Sequence, residues 1–255
     1  MIQTLLIQFR ANAITAELEY QSVARELGDS LCVVPLSALA DTPTWDEPAK
    51  LLRGYAAVIF GGSGDFDFDG GRKPDDYVVQ TSYKILKKLR PLLDYIFLHD
   101  IPTLGICYGH QLIGAYAGAT VVYDEVQKKS RSHKVAVVTS QETDRLWANI
   151  PTTFIAHYGH KDSLDRVPHG AVLLCSGGEA CKVSALRYQN NIYSTQFHPE
   201  LTIDDMRLRV AATPGYLPEG VCVDEVFTEE SESGRILKNF SLLIQENRGR
   251  SSVNI

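Results

Sequence analysis

PTLGICYGHQLIGAYAG, residues 102–118, reads as a strand running through a sharp turn into a helix. The apolar run 102–108 has the length of a buried strand, and HQLIGAYAG, 110–118, has the residues of a helix that closes on glycine. Between them, Gly105-Ile106-Cys107-Tyr108-Gly109 has the form G-x-nucleophile-x-G, with cysteine in the place of serine. A nucleophile on such a turn holds a strained backbone conformation, and side chains two positions away on either side would collide. The first amides of the following helix point at the cysteine and favour thiolate over thiol.

Upstream, TLLIQF (4–9), LCVVPL (31–36) and AAVIFGG (56–62) read as further strands. ITAELEYQSVARELG (14–28) and DDYVVQTSYKILKKLRPLLDYIF (75–97) read as helices, the second with Pro91 expected to kink or break it. This alternation predicts an α/β fold with a doubly wound, mostly parallel, flavodoxin-like sheet. After Gly118 the short runs ATVVY, HKVAVVT, TFIAHYG, AVLLCSG, CKVSALRY and NIYSTQF are β-branched or aromatic. They predict antiparallel strands that extend the same sheet, so one domain is expected over 1–255. Segment 202–231 has no clear form, and a final helix is expected at roughly 232–247.

With 44% hydrophobic and 22% charged residues, the composition is that of an ordinary globular protein. Lys and Arg number 25 against 31 Asp and Glu, a net charge of −6, and the cations are not clustered. That balance argues against nucleic acid and against an anionic membrane surface as partners. The N-terminus lacks the basic start and long apolar run of a signal peptide. No stretch approaches the roughly 20 apolar residues of a membrane span, so a cytoplasmic location is expected. The five cysteines (Cys32, Cys107, Cys175, Cys181 and Cys222) form no C-x-x-C pair, and neither a metal site nor a cofactor is expected.

A thiolate needs a base, and STQFHPE, 194–200, offers His198 at the end of a strand with Glu200 two residues on. Pro199 biases His198 towards an extended conformation. Glu200 can then orient the imidazole and stabilise its cationic form, as the carboxylate does in a Ser-His-Asp triad. G-I-C-Y-G-H-Q followed much later by Q-F-H-P-E resembles the class I (triad) glutamine amidotransferases, in particular stand-alone members similar to the amidotransferase domain of GMP synthase. The likeness spans about residues 50–200. It implies a doubly wound fold and hydrolysis of glutamine through a glutamyl thioester with release of ammonia. Carried over, Cys107 is the nucleophile, His198 the general base and acid, Glu200 the orienting carboxylate, and Gln111 a residue that helps to hold the substrate.

FGGSGDFDFDGG, from Phe60, takes the place of that family's oxyanion loop, with Ser63 where proline is common. Backbone donors must face a developing oxyanion with no side chain in the way, and Gly62 with the Tyr108 amide is the expected pair. Asp65, Asp67, Asp69 and Gly70 also match a calcium loop, with Asp76 at position twelve. A strand precedes them, though, position twelve is not Glu, and Arg72 and Lys73 repel a cation, so an acidic rim beside the glutamine pocket is the better reading. AHYGHKDSL, 156–164, fits a family segment near the glutamine site. Backbone groups around Tyr158 and Gly159, with His160, are candidates for the substrate's amino-acid end, against the alternative of a loop packed under the histidine.

Ser176-Gly177-Gly178 resembles a pyrophosphate loop only in part, and no G-x-x-x-x-G-K-[ST] occurs. An ammonia acceptor would therefore be activated on another chain, a separate synthetase subunit. Two other readings stand beside this ammonia supplier. One is a γ-glutamyl peptidase using the same chemistry on a γ-glutamyl compound. The other is a non-catalytic binding module, disfavoured by the complete Cys107–His198–Glu200 set.

Overall fold

The computed structural model describes residues 1–41, 44–138, 144–213, 215–229 and 232–251. Thr139, the end of the strand expected over 133–139, lies outside the described residues, as do residues 214, 230 and 231 of segment 202–231 and residues 252–255.

Half of the sheet is parallel. β1 (Ile2–Gln8) lies between β2 (Leu31–Ser37) and β3 (Tyr55–Phe60), β3 pairs with β4 (Thr103–Ile106), and β4 pairs with Ile192–Thr195. Three helices of this half are α1 (Ala13–Leu27), the short α2 (Pro48–Leu51) and α3 (Tyr77–His99), and α4 (Tyr108–Tyr116) follows β4. The second half adds β5 (Val121–Tyr123), β6 (Lys129–Val137), β7 (Thr153–His160), β8 (Asp162–Leu164), β9 (Val172–Ser176), β10 (Ala185–Arg187) and β11 (Ile192–Thr195). The nine-stranded order is β2-β1-β3-β4-β11-β10-β9-β6-β7, antiparallel from β11 onwards.

The mixed, doubly wound sheet agrees with the sequence reading, with two departures. β11 joins the parallel half beside β4, although its sequence is as β-branched as its antiparallel neighbours. β5 leaves the main sheet and pairs with β8 in a separate two-stranded ladder. Side-chain alternation shows neither, because strand direction is set by where the chain returns from, not by which face is apolar.

Alternation along the parallel strands does set the two cores. Leu6, Ala57, Ile59 and Leu104 face the side covered by α1 and α7 (Arg235–Ser251), with Val23, Ile236, Phe240 and Ile244. Leu5, Ile7, Val58 and Phe60 face α3 and α4, with Ile85, Leu89, Leu93, Leu112 and Ile113.

Pro91 does not break α3, which runs unbroken through it for 23 residues. A mid-helix proline costs about 3 kcal/mol. Leu89, Leu92, Leu93 and Ile96 around it are fully buried, and each contributes about 1.5–3 kcal/mol, so tertiary packing outweighs the local defect. The helix is also firmly ended, by Asp76 accepting from the Val78 amide at 2.9 Å and by Asp100 in the left-handed conformation.

Segment 202–231 contains α5 (Ile203–Ala212), opened by a reciprocal capping box between Thr202 and Asp205, and the one-turn α6 (Val223–Val226). It closes on a small apolar cluster of Leu201, Met206 and Phe227, with Tyr216, Val223 and Val226 packed against it. Among the described residues, no helix is long and apolar enough to cross a membrane.

Candidate active site

Cys107 occupies the turn between β4 and α4 with φ 53° and ψ −98°, a positive-φ conformation that non-glycine residues adopt at a cost of about 1–3 kcal/mol. Its neighbours hold it there. The Cys107 amide donates to the Thr195 carbonyl at 2.8 Å, and its own carbonyl accepts from the Gln111 amide at 3.1 Å. The flanking glycines are steric necessities. A Cβ on Gly109 would stand 2.2 Å from the Phe60 carbonyl oxygen, and one on Gly105 would stand 2.6 Å from the Gly109 carbonyl oxygen. Gly109→Ala is therefore expected to destabilise the fold by about 3 kcal/mol, because backbone must move to admit one methyl. Chemical denaturation measures it, and a loss under about 1 kcal/mol would mean that the elbow is softer than this packing implies.

β11 leads out to His198 and Glu200, which reach the same place. Their Nδ1 and Oε1 are 2.7 Å apart, and both side chains are almost fully buried. Burial pulls the imidazole towards its neutral form, but Glu200 and Cys107 outweigh it and raise the pKa from 6.5 to about 9. Burial likewise works against the Glu200 carboxylate, and His198 with Arg209 overcomes it, so the carboxyl sits below its ordinary value. Arg209, on α5, brings Nη2 to 3.7 Å from Glu200 Oε1. The sulfur of Cys107 lies 3.7 Å from the Gly159 carbonyl oxygen and 3.7 Å from Gln196 Nε2.

The two amides expected to face an oxyanion differ in their partners. The Tyr108 amide is the first of α4, one of the helix-start donors without an intrahelical partner. The Gly62 amide is engaged elsewhere. It donates at 2.9 Å to Oε1 of Glu19, a buried carboxylate on α1. The same carboxylate accepts from Arg10 Nη2 at 2.8 Å and Nε at 3.1 Å, and its other oxygen from Gln8 Nε2 at 3.1 Å. The cavity wall is formed instead by the next residues, Ser63 and Gly64. Ser63 has a task that proline could not perform. Its hydroxyl donates to the Phe9 carbonyl at 3.0 Å and accepts from the Asp65 and Phe66 amides at 3.1 Å.

The acidic stretch is consumed by protein contacts. Asp65 accepts from the Ala11 amide at 3.0 Å, and Asp69 from the Tyr123 amide at 3.0 Å. Asp67 pairs with Lys161 at 3.2 Å and with Arg72 at 3.3 Å, and Asp76 caps α3. The carboxylate of Asp162 in turn receives the amides of Phe68, Asp69 and Gly70 at 2.9, 2.9 and 2.6 Å. The loop is thus pinned beside the cavity as a rim, with Phe66 and Asp67 in the wall.

Of the remaining expected substrate residues, Gln111, Gly159 and His160 line the cavity. Gln111 donates to the Asp162 carbonyl at 2.8 Å and to Gln196 Oε1 at 3.3 Å. His160 bonds the Asp162 carbonyl through Nδ1 at 3.0 Å, and burial lowers its pKa to about 3, which keeps it neutral. The Tyr158 side chain is elsewhere. It is fully buried in the core with its hydroxyl 2.9 Å from Ser184 Oγ, so only its backbone can serve the cavity.

The cavity has a volume of about 660 Å³. Cys107 forms part of its wall, and Lys128, Lys129, Arg131 and Lys161 supply cations around it. Sequence reasoning missed Arg10, Glu19, Arg209 and Tyr216. Arg10 alone carried a usable signal, since it follows β1 at the carboxyl end of a parallel strand, where open α/β sheets place ligand-facing residues.

A family model described as glutamine amidotransferase class-I matches residues 20–212 of the chain. One subunit of the glutamine-hydrolysing GMP synthase of Methanocaldococcus jannaschii is 34% identical over 117 residues, which cover 46% of this chain and 60% of the relative. The corresponding GMP synthase subunit of Sulfurisphaera tokodaii is 29% identical over 167 residues, covering 65% of this chain and 77% of that one. Among solved structures, a glutamine amidotransferase from Thermotoga maritima superposes with a TM-score of 0.70 at 19% identity, covering 96% of this chain and 97% of the other.

Proposed function

The chain belongs to the class-I glutamine amidotransferase family, and on that premise we propose that it releases ammonia from glutamine through a thioester on Cys107. One observation carries the reading: a cysteine held at φ 53° on a strand-to-helix elbow, beside a buried imidazole bonded at 2.7 Å to a carboxylate.

In this reading the Cys107 sulfur attacks the side-chain carbonyl carbon of glutamine, and the carbonyl oxygen takes the negative charge. The Tyr108 amide and an amide of the Ser63–Gly64 stretch stabilise it, in place of Gly62. The tetrahedral intermediate collapses as His198 gives its proton to the amide nitrogen, which leaves as ammonia. His198, now neutral, takes a proton from water, whose oxygen displaces the sulfur and frees glutamate. Glu200 holds Nδ1 throughout, so that the other ring nitrogen faces the reacting groups. That these relatives are named as single subunits of GMP synthase supports a separate synthetase as the consumer of the ammonia.

The pH dependence follows from His198. The proton needed by the leaving amine is present below about pH 9 and lost above it, so an alkaline limb in kcat/KM is expected there. The same linkage applies to stability. The contribution of the charged imidazole is complete below its ordinary value of 6.5 and disappears as the pH rises through about 9. In Glu200→Gln the limb should move to lower pH, since the charge that raises His198 is gone. A limb that stays in place in this variant would assign it to another group.

A second reading keeps the chemistry and changes the substrate. Pockets of about 300–1,000 Å³ hold ligands of drug size, and 660 Å³ is roomy for free glutamine. The cations around it suit a γ-glutamyl peptide whose leaving amine carries a carboxylate. Rates of ammonia release from glutamine and of cleavage of γ-glutamyl dipeptides, compared in wild type and Cys107→Ala, separate the two. Faster glutamine turnover that the variant loses supports the ammonia supplier. Faster dipeptide cleavage, lost likewise, moves the protein to the peptidase class. Turnover of neither substrate overturns both readings.

A further inference from the structure

Among its described residues, segment 202–231 carries a buried polar group without a visible purpose inside the protein. Tyr216 is packed by its ring against the small cluster around Met206 and Phe227, and its residue as a whole is only half-buried. Its hydroxyl oxygen, in contrast, is buried and has no hydrogen-bond partner among the described residues. Leaving such a group unpaired costs about 1–3 kcal/mol, and native structures seldom tolerate it without a reason.

The hydroxyl's position suggests the reason. A Cβ on Gly159 would lie 1.9 Å from the Tyr216 oxygen, so the phenol rests directly on the Gly159 backbone and depends on glycine there. The Gly159 carbonyl oxygen is in turn 3.7 Å from the Cys107 sulfur. Tyr216, Gly159 and Cys107 all line the same cavity. Burial, opposed by the Arg209 charge and helped by that of Cys107, pushes the phenol above its ordinary pKa. Its oxygen therefore keeps its proton, and beside the nearby Arg209 guanidinium it still has a lone pair to accept with.

Around the sulfur, the two sides differ in chemistry. The elbow presents the Tyr108 amide at the start of α4, a donor that suits an oxyanion. β7 and Tyr216 present acceptors, the Gly159 carbonyl and the phenol oxygen. A planar amide needs both: donors for its oxygen, and acceptors for the hydrogens on its nitrogen. We propose that Tyr216 is a specificity-determining residue whose hydroxyl accepts a hydrogen bond from the leaving amide nitrogen, jointly with the Gly159 carbonyl, and so selects a primary amide. Glutamine offers two N–H groups and satisfies both acceptors. A γ-glutamyl peptide offers one, and puts a carbon substituent where the second hydrogen would be. A site built to bond a substrate group discriminates against analogues that lack it, because its own polar atom is then left unpaired.

This inference rests on the glutaminase reading. Its test is the ratio of kcat/KM for glutamine to that for γ-glutamylglycine, in wild type and Tyr216→Phe. Phenylalanine keeps the ring that packs on Met206 and Phe227 and removes only the oxygen. Circular dichroism and the rate of Cys107 alkylation by iodoacetamide check that the variant folds with its elbow intact. The expected result is a wild type that prefers glutamine, and a variant whose ratio falls about tenfold, the equivalent of one neutral hydrogen bond. The loss should fall on glutamine, with the dipeptide rate held or raised. A ratio unchanged within a factor of two, in an active and folded variant, overturns the role of Tyr216 and leaves the glutaminase reading standing. A wild type that turns over neither substrate overturns that reading, and this inference with it.

Discussion

Replacing Cys107 by alanine is expected to lower ammonia release from glutamine by about four orders of magnitude or more, while leaving the fold in place. Loss of the nucleophile from a triad enzyme removes the covalent route entirely, and the remaining binding groups rescue only a small residual rate. None of the other four cysteines is placed to substitute. Cys175 bonds Trp147 Nε1 at 2.8 Å in the core, burial pushes the Cys181 thiol up to about 11, Cys222 is exposed, and Cys32 is part of β2. Alanine keeps a Cβ and the same backbone demand at φ 53°, so the turn should survive the change. Steady-state ammonia release gives the rate and circular dichroism the fold. Activity kept within tenfold of wild type would remove Cys107 from the chemistry, whatever its geometry.

The largest stability effect is expected at Glu19. Its carboxylate is buried with Arg10 against it at 2.8 Å, and the Arg10 side chain is only 6% exposed. Burial disfavours the Arg10 charge, yet Glu19 overcomes this and its guanidinium stays above its ordinary pKa, with Cys107 and Glu200 contributing from further away. Glu19→Ala would leave that cation uncompensated and would strip the Gly62 amide and Gln8 of their acceptor. Breaking a buried pair in this way costs about 3–5 kcal/mol, most of it the penalty of the orphaned partner rather than the worth of the pair. Denaturant unfolding at neutral pH should record that loss. A double variant, Arg10→Met with Glu19→Met, should recover a good part of it, because neither charge is then stranded. A single-variant loss below about 1 kcal/mol would mean that water reaches the pair, and the clamp on the glycine loop would then be weak.

Glu19 also shows where sequence reading ends. On α1 it stands in the run ITAELEYQSVAREL, among polar residues that a helix normally turns to water. Its spacing from Val23 and Leu27 puts it on the buried face, but nothing in that pattern shows what would pair with it. What buries it is the arrival of Arg10 from the end of β1 and of Gly62 from the end of β3, each more remote along the chain than any helical period. The Gly62 amide, expected to face an oxyanion, is bonded to Glu19 instead for the same reason. Glycine spacing identifies a loop free of side chains, but the direction of one amide depends on which acceptor is nearest in space. At Tyr158 only the backbone, as expected, is free to serve the cavity. Its alternation partner Gly159 faces the cavity, so the tyrosine side chain necessarily points the other way, into the core.

The sequence by itself determined the α/β alternation, the two-sided parallel half of the sheet, the strained cysteine elbow and the His198–Glu200 pair, all of which are local. Each follows from steric and periodic rules acting over a few residues: glycine where a Cβ would strike the Phe60 carbonyl, alternate apolar residues where a strand has two buried faces, and proline after histidine where the chain must stay extended. Only the tertiary structure decided that β11 runs parallel beside β4, that Asp162 pins the acidic loop, that Glu19 holds the Gly62 amide, and that Arg209 and Tyr216 arrive at the site from segment 202–231. Those contacts join residues far apart along the chain. Their partners are selected by distance, burial and the need to satisfy each buried polar group, and these are properties of the packed chain.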